Sequence, residues 1–203
     1  MRFLIRTFLA TVLLTVSALA EVTLAPIFTD HAVLQRGAAV PIWGSANPGQ
    51  HVTVKFGPQA VVTTSDEDGL WRVDLAPMQA NSEGRTLTVI GENTVALNDV
   101  LVGDVWLCGG QSNMEWTLRR TRDAEMEIAA ANYPLIRHFK VAKRIAAEPI
   151  KTLSGEWVTT TPETAPYFTA VGYFFARRLH TDLNVPIGLL NSNWGGTPVE
   201  AWL

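Results

Sequence analysis

Val102-Gly103-Asp104-Val105-Trp106-Leu107-Cys108-Gly109-Gly110-Gln111-Ser112-Asn113 is the stretch that decides the fold of this chain. Its first part is a mostly apolar run, two glycines follow, and a serine and an asparagine come next. A short apolar run closed by a turn signal reads as a buried strand. From Met114 to Ala131 the content is helix-forming. A strand that turns through glycine into a helix is the unit of a parallel α/β sheet. In such sheets reactive groups sit beyond the carboxyl ends of the strands, and Ser112 stands at such an end. Glycine permits a sharp turn and close approach to the backbone. The free N–H groups and dipole of the following helix favour a developing oxyanion. Ser112 is equally suited to cap that helix, as is Asn113, so spacing alone leaves both roles open. The Gly-x-Ser-x-Gly elbow is not met, because position 114 is Met.

Outward from this stretch the texture differs on the two sides. Toward the C-terminus, Ile136 to Val141 reads as a strand. Phe168 to Leu183 carries Val171, Phe174, Phe175 and Leu179 at helical spacing, and Pro186 ends that helix. Ile187 to Asn193 reads as another buried strand, running into Gly195-Gly196. Toward the N-terminus, residues 21–101 read as all-β. Strands are expected at Ala32 to Leu34, Val40 to Trp43, Val52 to Phe56, Ala60 to Thr64, Trp71 to Leu75 and Thr86 to Ile90. Their separators are Asn47-Pro48-Gly49, Gly57-Pro58, Asp66-Glu67-Asp68-Gly69 and Asn81-Ser82-Glu83-Gly84. Strands at this spacing suggest a small β-sandwich module, whose expected role is packing rather than binding. The fold class expected is α/β, with that module over 21–101 and an α/β domain over 102–203.

The chain has 203 residues, 47% of them hydrophobic, enough for one large domain or two small ones. Sixteen basic against nineteen acidic residues give a net charge of −3, with no basic patch, which argues against a nucleic-acid partner. Seven Trp residues would suit sugar faces, although most Trp serves as core. Residues 1–20 read as a secretory signal: Arg2 and Arg6, an apolar run from Phe8 to Val16, then Ala18-Leu19-Ala20. Export to the periplasm or beyond is therefore expected. No later segment approaches the roughly 20 apolar residues of a membrane span. Cys108 is the only cysteine, so no disulfide can close within the chain. No Cys/His cluster has zinc spacing, and no metal is expected.

Two blocks carry a family resemblance. The first is Gly103-Asp104-Val105-Trp106-Leu107-Cys108-Gly109-Gly110-Gln111-Ser112-Asn113-Met114-Glu115-Trp116. The second runs Val185-Pro186-Ile187-Gly188-Leu189-Leu190-Asn191-Ser192-Asn193-Trp194-Gly195-Gly196-Thr197-Pro198-Val199-Glu200-Ala201-Trp202. Both resemble blocks of the sialate O-acetylesterase family, within the SGNH or GDSL-like serine hydrolases. Phe28-Thr29-Asp30-His31-Ala32-Val33-Leu34-Gln35 is similar to the family's N-terminal region. The resemblance implies a three-layer α/β/α hydrolase domain after the β-rich module. It implies that Ser112, flanked by Gln111 and Asn113, attacks an acetyl carbonyl and forms an acetyl-enzyme. The Ser112 N–H would be one oxyanion donor. A glycine of Gly195-Gly196 would be the second, Gly196 being the choice between them. Thr197, Glu200 and Trp202 would shape the mouth of the site or pack beneath it. The implied substrate is an O-acetylated carbohydrate, either sialic acid or a plant polysaccharide, and no cofactor is implied.

A serine nucleophile needs a base. The resemblance implies an Asp-x-x-His pair and a Gln-Gly-Glu-x-Asn block, and neither occurs in the chain. His31 and His51 lie in the β-rich segment, where turn or surface roles are expected. His138 is expected at a sheet end or surface, and His180 on a solvated helix face. Cys108 ends a buried strand and is not expected to be a nucleophile. The expectation is a truncated SGNH-hydrolase domain with a sheet edge left open and little or no esterase activity. The alternative is a non-catalytic carbohydrate-binding remnant. A third reading, a lipase-like esterase, is opposed by the missing second glycine.

Overall fold

The computed structural model describes residues 21–148, 150 and 152–202; the export signal expected over 1–20 lies outside them. The β-rich part begins with β1 (Thr23–Leu24), β2 (Val33–Gln35), β3 (Val40–Ser45), β4 (His51–Phe56), β5 (Gln59–Thr64) and β6 (Leu70–Leu75). Then come β7 (Asn81–Ile90) and β8 (Thr94–Gly110). Alternation sets the buried face: Val52, Val54 and Phe56 of β4 point inward, as do Trp71, Val73 and Leu75 of β6. Strands β1, β3 and β6 form one sheet, and β8, β7, β4 and β5 belong to a second. The two sheets share a core, with Ile42, Trp71 and Leu75 from the first meeting Phe56, Leu87 and Val89 from the second. Each such side chain contributes about 1.5–3 kcal/mol relative to exposure.

The boundary expected between Leu101 and Val102 falls inside β8, which runs through it unbroken. Its first half pairs antiparallel with β7, and Asp104–Gly110 pairs parallel with β11 (Ile187–Asn193). Val100, Leu101 and Val102 are buried in succession, so both faces of the strand are covered at the junction. The turn expected at Asn81-Ser82-Glu83-Gly84 is instead part of β7. There the register jumps from Asn81 opposite Val102 to Arg85 opposite Val100, a bulge. A Cβ at Gly84 would overlap Asp99 Oδ1, so the glycine serves a close approach rather than a reversal.

After β8 the expected helix over Met114 to Ala131 is broken into three pieces. They are α1 (Ser112–Glu115), a 3-10 turn at Leu118–Arg120, and α2 (Ala124–Ala129). The break is tertiary in origin. Trp116 is extended, with its carbonyl taken by the Ala170 amide at 2.8 Å, and the Leu118 amide donates to Phe168 O at 3.0 Å. These bonds outweigh helix propensity. Strands β9 (Tyr133–Lys140) and β10 (Trp157–Thr160) follow, then α3 (Ala170–Leu183). Thr169 caps α3, and Asn184 ends it in a left-handed conformation.

Strands β9 and β8 flank β11 in parallel, and β10 adds an antiparallel edge to β9. Helix α3 covers one face, where Ala176 meets Cys108, Ile136, Ile187 and Leu189. The face of α3 that docks is Ala170, Gly172, Tyr173 and Ala176, whereas Val171 and Phe175 are exposed. Small residues let the helix sit close, which the list of large apolar residues alone does not reveal. On the opposite face Phe139 and Trp157 join the core of the β-rich part. Beyond Val102, β8 is paired among the described residues on one side only, and Trp106 and Leu107 are exposed there.

Candidate active site

Register places the site. Gly109 and Gly110 of β8 lie opposite Ser192 and Asn193 of β11, so the two strands end side by side at their carboxyl ends. The Trp194 amide extends the pairing to Gly110 O at 3.0 Å. Gly110 has φ 136°, which turns the chain into α1. At that turn the Gln111 side chain acts as the helix cap. Its Oε1 accepts from the Ser112 amide at 2.8 Å, from Ser112 Oγ, and from the Gly196 amide at 3.5 Å. Gly196 reaches it in a left-handed conformation, φ 82°. Two backbone N–H groups and a serine hydroxyl thus converge on one carbonyl oxygen. That is the environment an acyl oxygen needs while charge develops on it.

The structure therefore brings together Ser112, Gln111 and Gly196. Gly195 faces elsewhere: its amide donates to Glu115 Oε2 at 2.6 Å. Glu115 Oε1 is bonded to Lys143, and Lys143 together with the Gly195 N–H holds this carboxyl below the ordinary carboxylate range. Thr197 Oγ1 donates to Trp194 O at 2.7 Å and closes the loop on itself. Asn113 and Glu200 are exposed, and the side chain of Trp202 is outside the description. The helix after Ser112 is a single turn, so oxyanion binding falls to individual N–H groups rather than to a helix dipole.

Three contributors escaped the sequence reading: Glu115, Asn191 and Asn193. The two asparagines are buried at the end of β11, and Asn193 Nδ2 donates both to Asn191 Oδ1 and to Met114 O, the latter at 3.0 Å. They pin α1 from below. Their signal was present, since two amides at alternating positions of an otherwise apolar strand require partners. Beside the loop a cleft of about 500 Å³ is lined by Val141, Lys143, Arg144, Ile145, Trp194 and Thr197.

No histidine is placed to serve Ser112. His31 does have a carboxylate partner, Asp99 Oδ2, 2.7 Å from its Nδ1. Asp99, however, lies eleven residues before Gly110 on β8, about 35 Å away at the usual strand rise. His138, expected at a sheet end or surface, lies two residues from the end of β9 and is not at the surface. It is 2% exposed and stacked on Phe168, with Nε2 unpartnered among the described residues. Burial, and secondarily Lys140, push it down to about 3, so it is neutral. His180 is half-buried rather than solvated, and its Nδ1 donates to Val185 O at 2.8 Å, at the opposite end of the sheet from Ser112. His51 is exposed and 3.0 Å from Thr64 Oγ1 in the β-rich part. Cys108 is buried and its thiol is pushed up to about 11 by burial, so it stays protonated. Among the described residues no three His, Cys, Asp or Glu side chains cluster as metal ligands, and no helix is long and apolar enough to cross a membrane.

The strand arrangement recurs in a crystal structure of a carbohydrate acetylesterase from Xanthomonas citri. The TM-score is 0.88 at 43% identity, over 90% of this chain and 43% of that one. Fold and sequence alike relate this chain to proteins named as acetylesterases. It is 33% identical to the sialate O-acetylesterase of Homo sapiens over 198 aligned residues, covering 87% of this chain and 37% of the relative. The Rattus norvegicus protein of the same name is 34% identical over 193, covering 85% and 36%. Over most of its own length the chain is thus similar to sialate O-acetylesterases, and it spans little more than a third of the length of these relatives. No protein-family profile matches it.

Proposed function

We propose that the chain carries the nucleophile and acyl-binding part of carbohydrate O-acetyl ester hydrolysis. The observation that carries this reading is the convergence of the Ser112 amide, the Gly196 amide and Ser112 Oγ on Gln111 Oε1. In the reaction the acetyl carbonyl oxygen takes the place of Gln111 Oε1. Ser112 Oγ bonds to the acyl carbon as its proton leaves to a base, and the two amides hold the negative oxygen. Collapse breaks the ester C–O bond, releases the protonated sugar hydroxyl and leaves acetyl on Ser112. Water then returns acetate and free serine. The substrate is an O-acetylated sugar, sialic acid or a plant polysaccharide. Names of relatives favour the first, and the name of the Xanthomonas enzyme is silent between them.

In this reading residues 21–101 form a sandwich-like packing module and 102–203 the first part of a three-layer α/β/α SGNH domain. The protein is exported. Because no histidine is hydrogen-bonded to Ser112 among the described residues, the 203-residue chain alone has little esterase turnover, and a slow single acetyl transfer is its remaining chemistry. The test is to incubate it with 4-nitrophenyl acetate at alkaline pH and map acetylation by mass spectrometry. Acetyl on the Ser112 peptide, lost in Ser112→Ala, supports the reading. Acetylation of surface lysines alone would overturn it. The missing base favours one rival, a carbohydrate-binding protein without turnover; glycan binding with an unmodified Ser112 would select it.

A further inference from the structure

We propose that Glu115 is a positioning residue of this site: its carboxylate clamps the Gly195 amide and Lys143 to the Ser112 turn, and so aims the Gly196 N–H at the acyl oxygen. The inference rests on the reading of Ser112 and Gly196 given above.

Three successive amides of the loop after β11 have three different acceptors. Trp194 N–H goes to Gly110 O, Gly195 N–H to Glu115 Oε2 and Gly196 N–H to Gln111 Oε1. The first two bonds are to fixed parts of the Ser112 turn. The third is to the oxygen that substrate displaces. With the first two in place, the direction of the third is set before substrate arrives, which is the preorganisation that acyl-transfer sites depend on. The Glu115 amide donates to Gln111 O at 2.9 Å, which ties the carboxylate's own backbone to the same turn.

Position 195 is matched to this role. A Cβ there would overlap Glu115 Oε2 and displace the carboxylate, so glycine lets the amide meet it where it stands. Lys143 bonds the other carboxylate oxygen and lies over the Trp194 ring, 5.4 Å from its centroid. One carboxylate thus gathers the Ser112 turn, the 194–196 loop and the segment after β9. Charge-assisted bonds of this kind are about twice as strong as neutral ones. A second cleft, shared by Glu115 and Lys143, brings Lys140, Glu156, Glu163, Tyr167 and the buried His138 alongside, and Arg144 lies with Lys143 in the first.

The test uses the whole chain, labelled with nitrogen-15, as wild type, Glu115→Gln and Lys143→Met. In the wild type the Gly195 amide proton resonates far downfield and exchanges slowly. In Glu115→Gln it moves upfield, and exchange at both Gly195 and Gly196 rises about tenfold or more, while amides of β4 and β6 keep their protection. Lys143→Met retains the downfield Gly195 signal and loosens the loop less. Acetylation of Ser112 slows in the order wild type, Lys143→Met, Glu115→Gln. Unchanged exchange at Gly195 and Gly196 in Glu115→Gln would overturn the proposal, and so would an equal loss of protection throughout the fold. If Ser112 is not acetylated even in the wild type, the esterase reading falls, and the amide signals still decide the clamp.

Discussion

The one long strand β8 has a polar constellation at each end, and the two ends hold similar groups in opposite states. Near its start, Asp99 joins His31 and the guanidinium of Arg137, whose side chain is 4% exposed. Arg137 Nε donates to Pro134 O at 2.7 Å, and Nη1 donates to His31 O at 3.2 Å. This end is saturated: its donors are spent on the junction between the β-rich part and the α/β part. At the far end, Ser112 and Gly196 donate to a side-chain oxygen that can move away. The lesson is that a His–carboxylate pair is not a catalytic dyad by composition. Strand geometry puts it about 35 Å from the nucleophile, and burial of the adjoining arginine makes it a rivet.

The comparison breaks most readily at Arg137. Replacing it with Met leaves Asp99 without its guanidinium and takes a donor from three carbonyls. Loss of a buried partner of this kind costs about 3 kcal/mol, a fall in melting temperature of about 10 °C. Thermal denaturation checks it; a shift under 2 °C would remove the rivet from the account. The mutation leaves the Ser112 amide signals in place if the two ends are independent.

The next effect depends on pH. His138 is neutral in the fold, pushed down to about 3 from an ordinary 6.5. The unfolded chain binds its proton below 6.5 and the folded chain does not. Its contribution is therefore full above 6.5 and is lost as pH falls toward 3. Between pH 6.5 and 4.5 this amounts to roughly 2 kcal/mol. His138→Phe keeps the stack on Phe168 and removes the titration, so denaturant midpoints of the variant should decline less over that window. Parallel curves for the two proteins would sink the prediction.

Much of this architecture was legible because alternation and turn chemistry act locally. The strand from Ile187 to Asn193 and strands β3 to β6 emerge close to their expected bounds, whereas β1 and the first half of β8 were not expected and β7 begins five residues early. What was not legible depends on long-range contact. The Gly84 bulge looks like a turn until Asp99 is seen against it. The helix after Ser112 is cut short by bonds to Phe168 and Ala170, more than fifty residues away. At the site, Ser112 and Gly196 came from family resemblance, and spacing alone left Ser112 undecided. Glu115 was hidden inside the same block, because its acceptor role exists only once Gly195 is folded against it.

At the open end the expected effects on stability are small, which sharpens the contrast. Gly196→Ala meets no atom within 4 Å of the new Cβ, yet must hold φ 82°. The cost is about 1 kcal/mol. Relaxation of that strain would turn the amide from the acyl oxygen and slow Ser112 acetylation about a hundredfold. Ser112→Ala removes an exposed hydroxyl whose partner among the described residues is Gln111. Its effect on folding should lie within about 0.5 kcal/mol, measured by urea denaturation. Acetyl transfer at this position should vanish all the same. A destabilisation above 1 kcal/mol would mean that the Ser112–Gln111 contact is a structural cap, the other role its position allowed. A neutral result with loss of transfer would mean that the serine is held for its chemistry and contributes little to the fold that holds it.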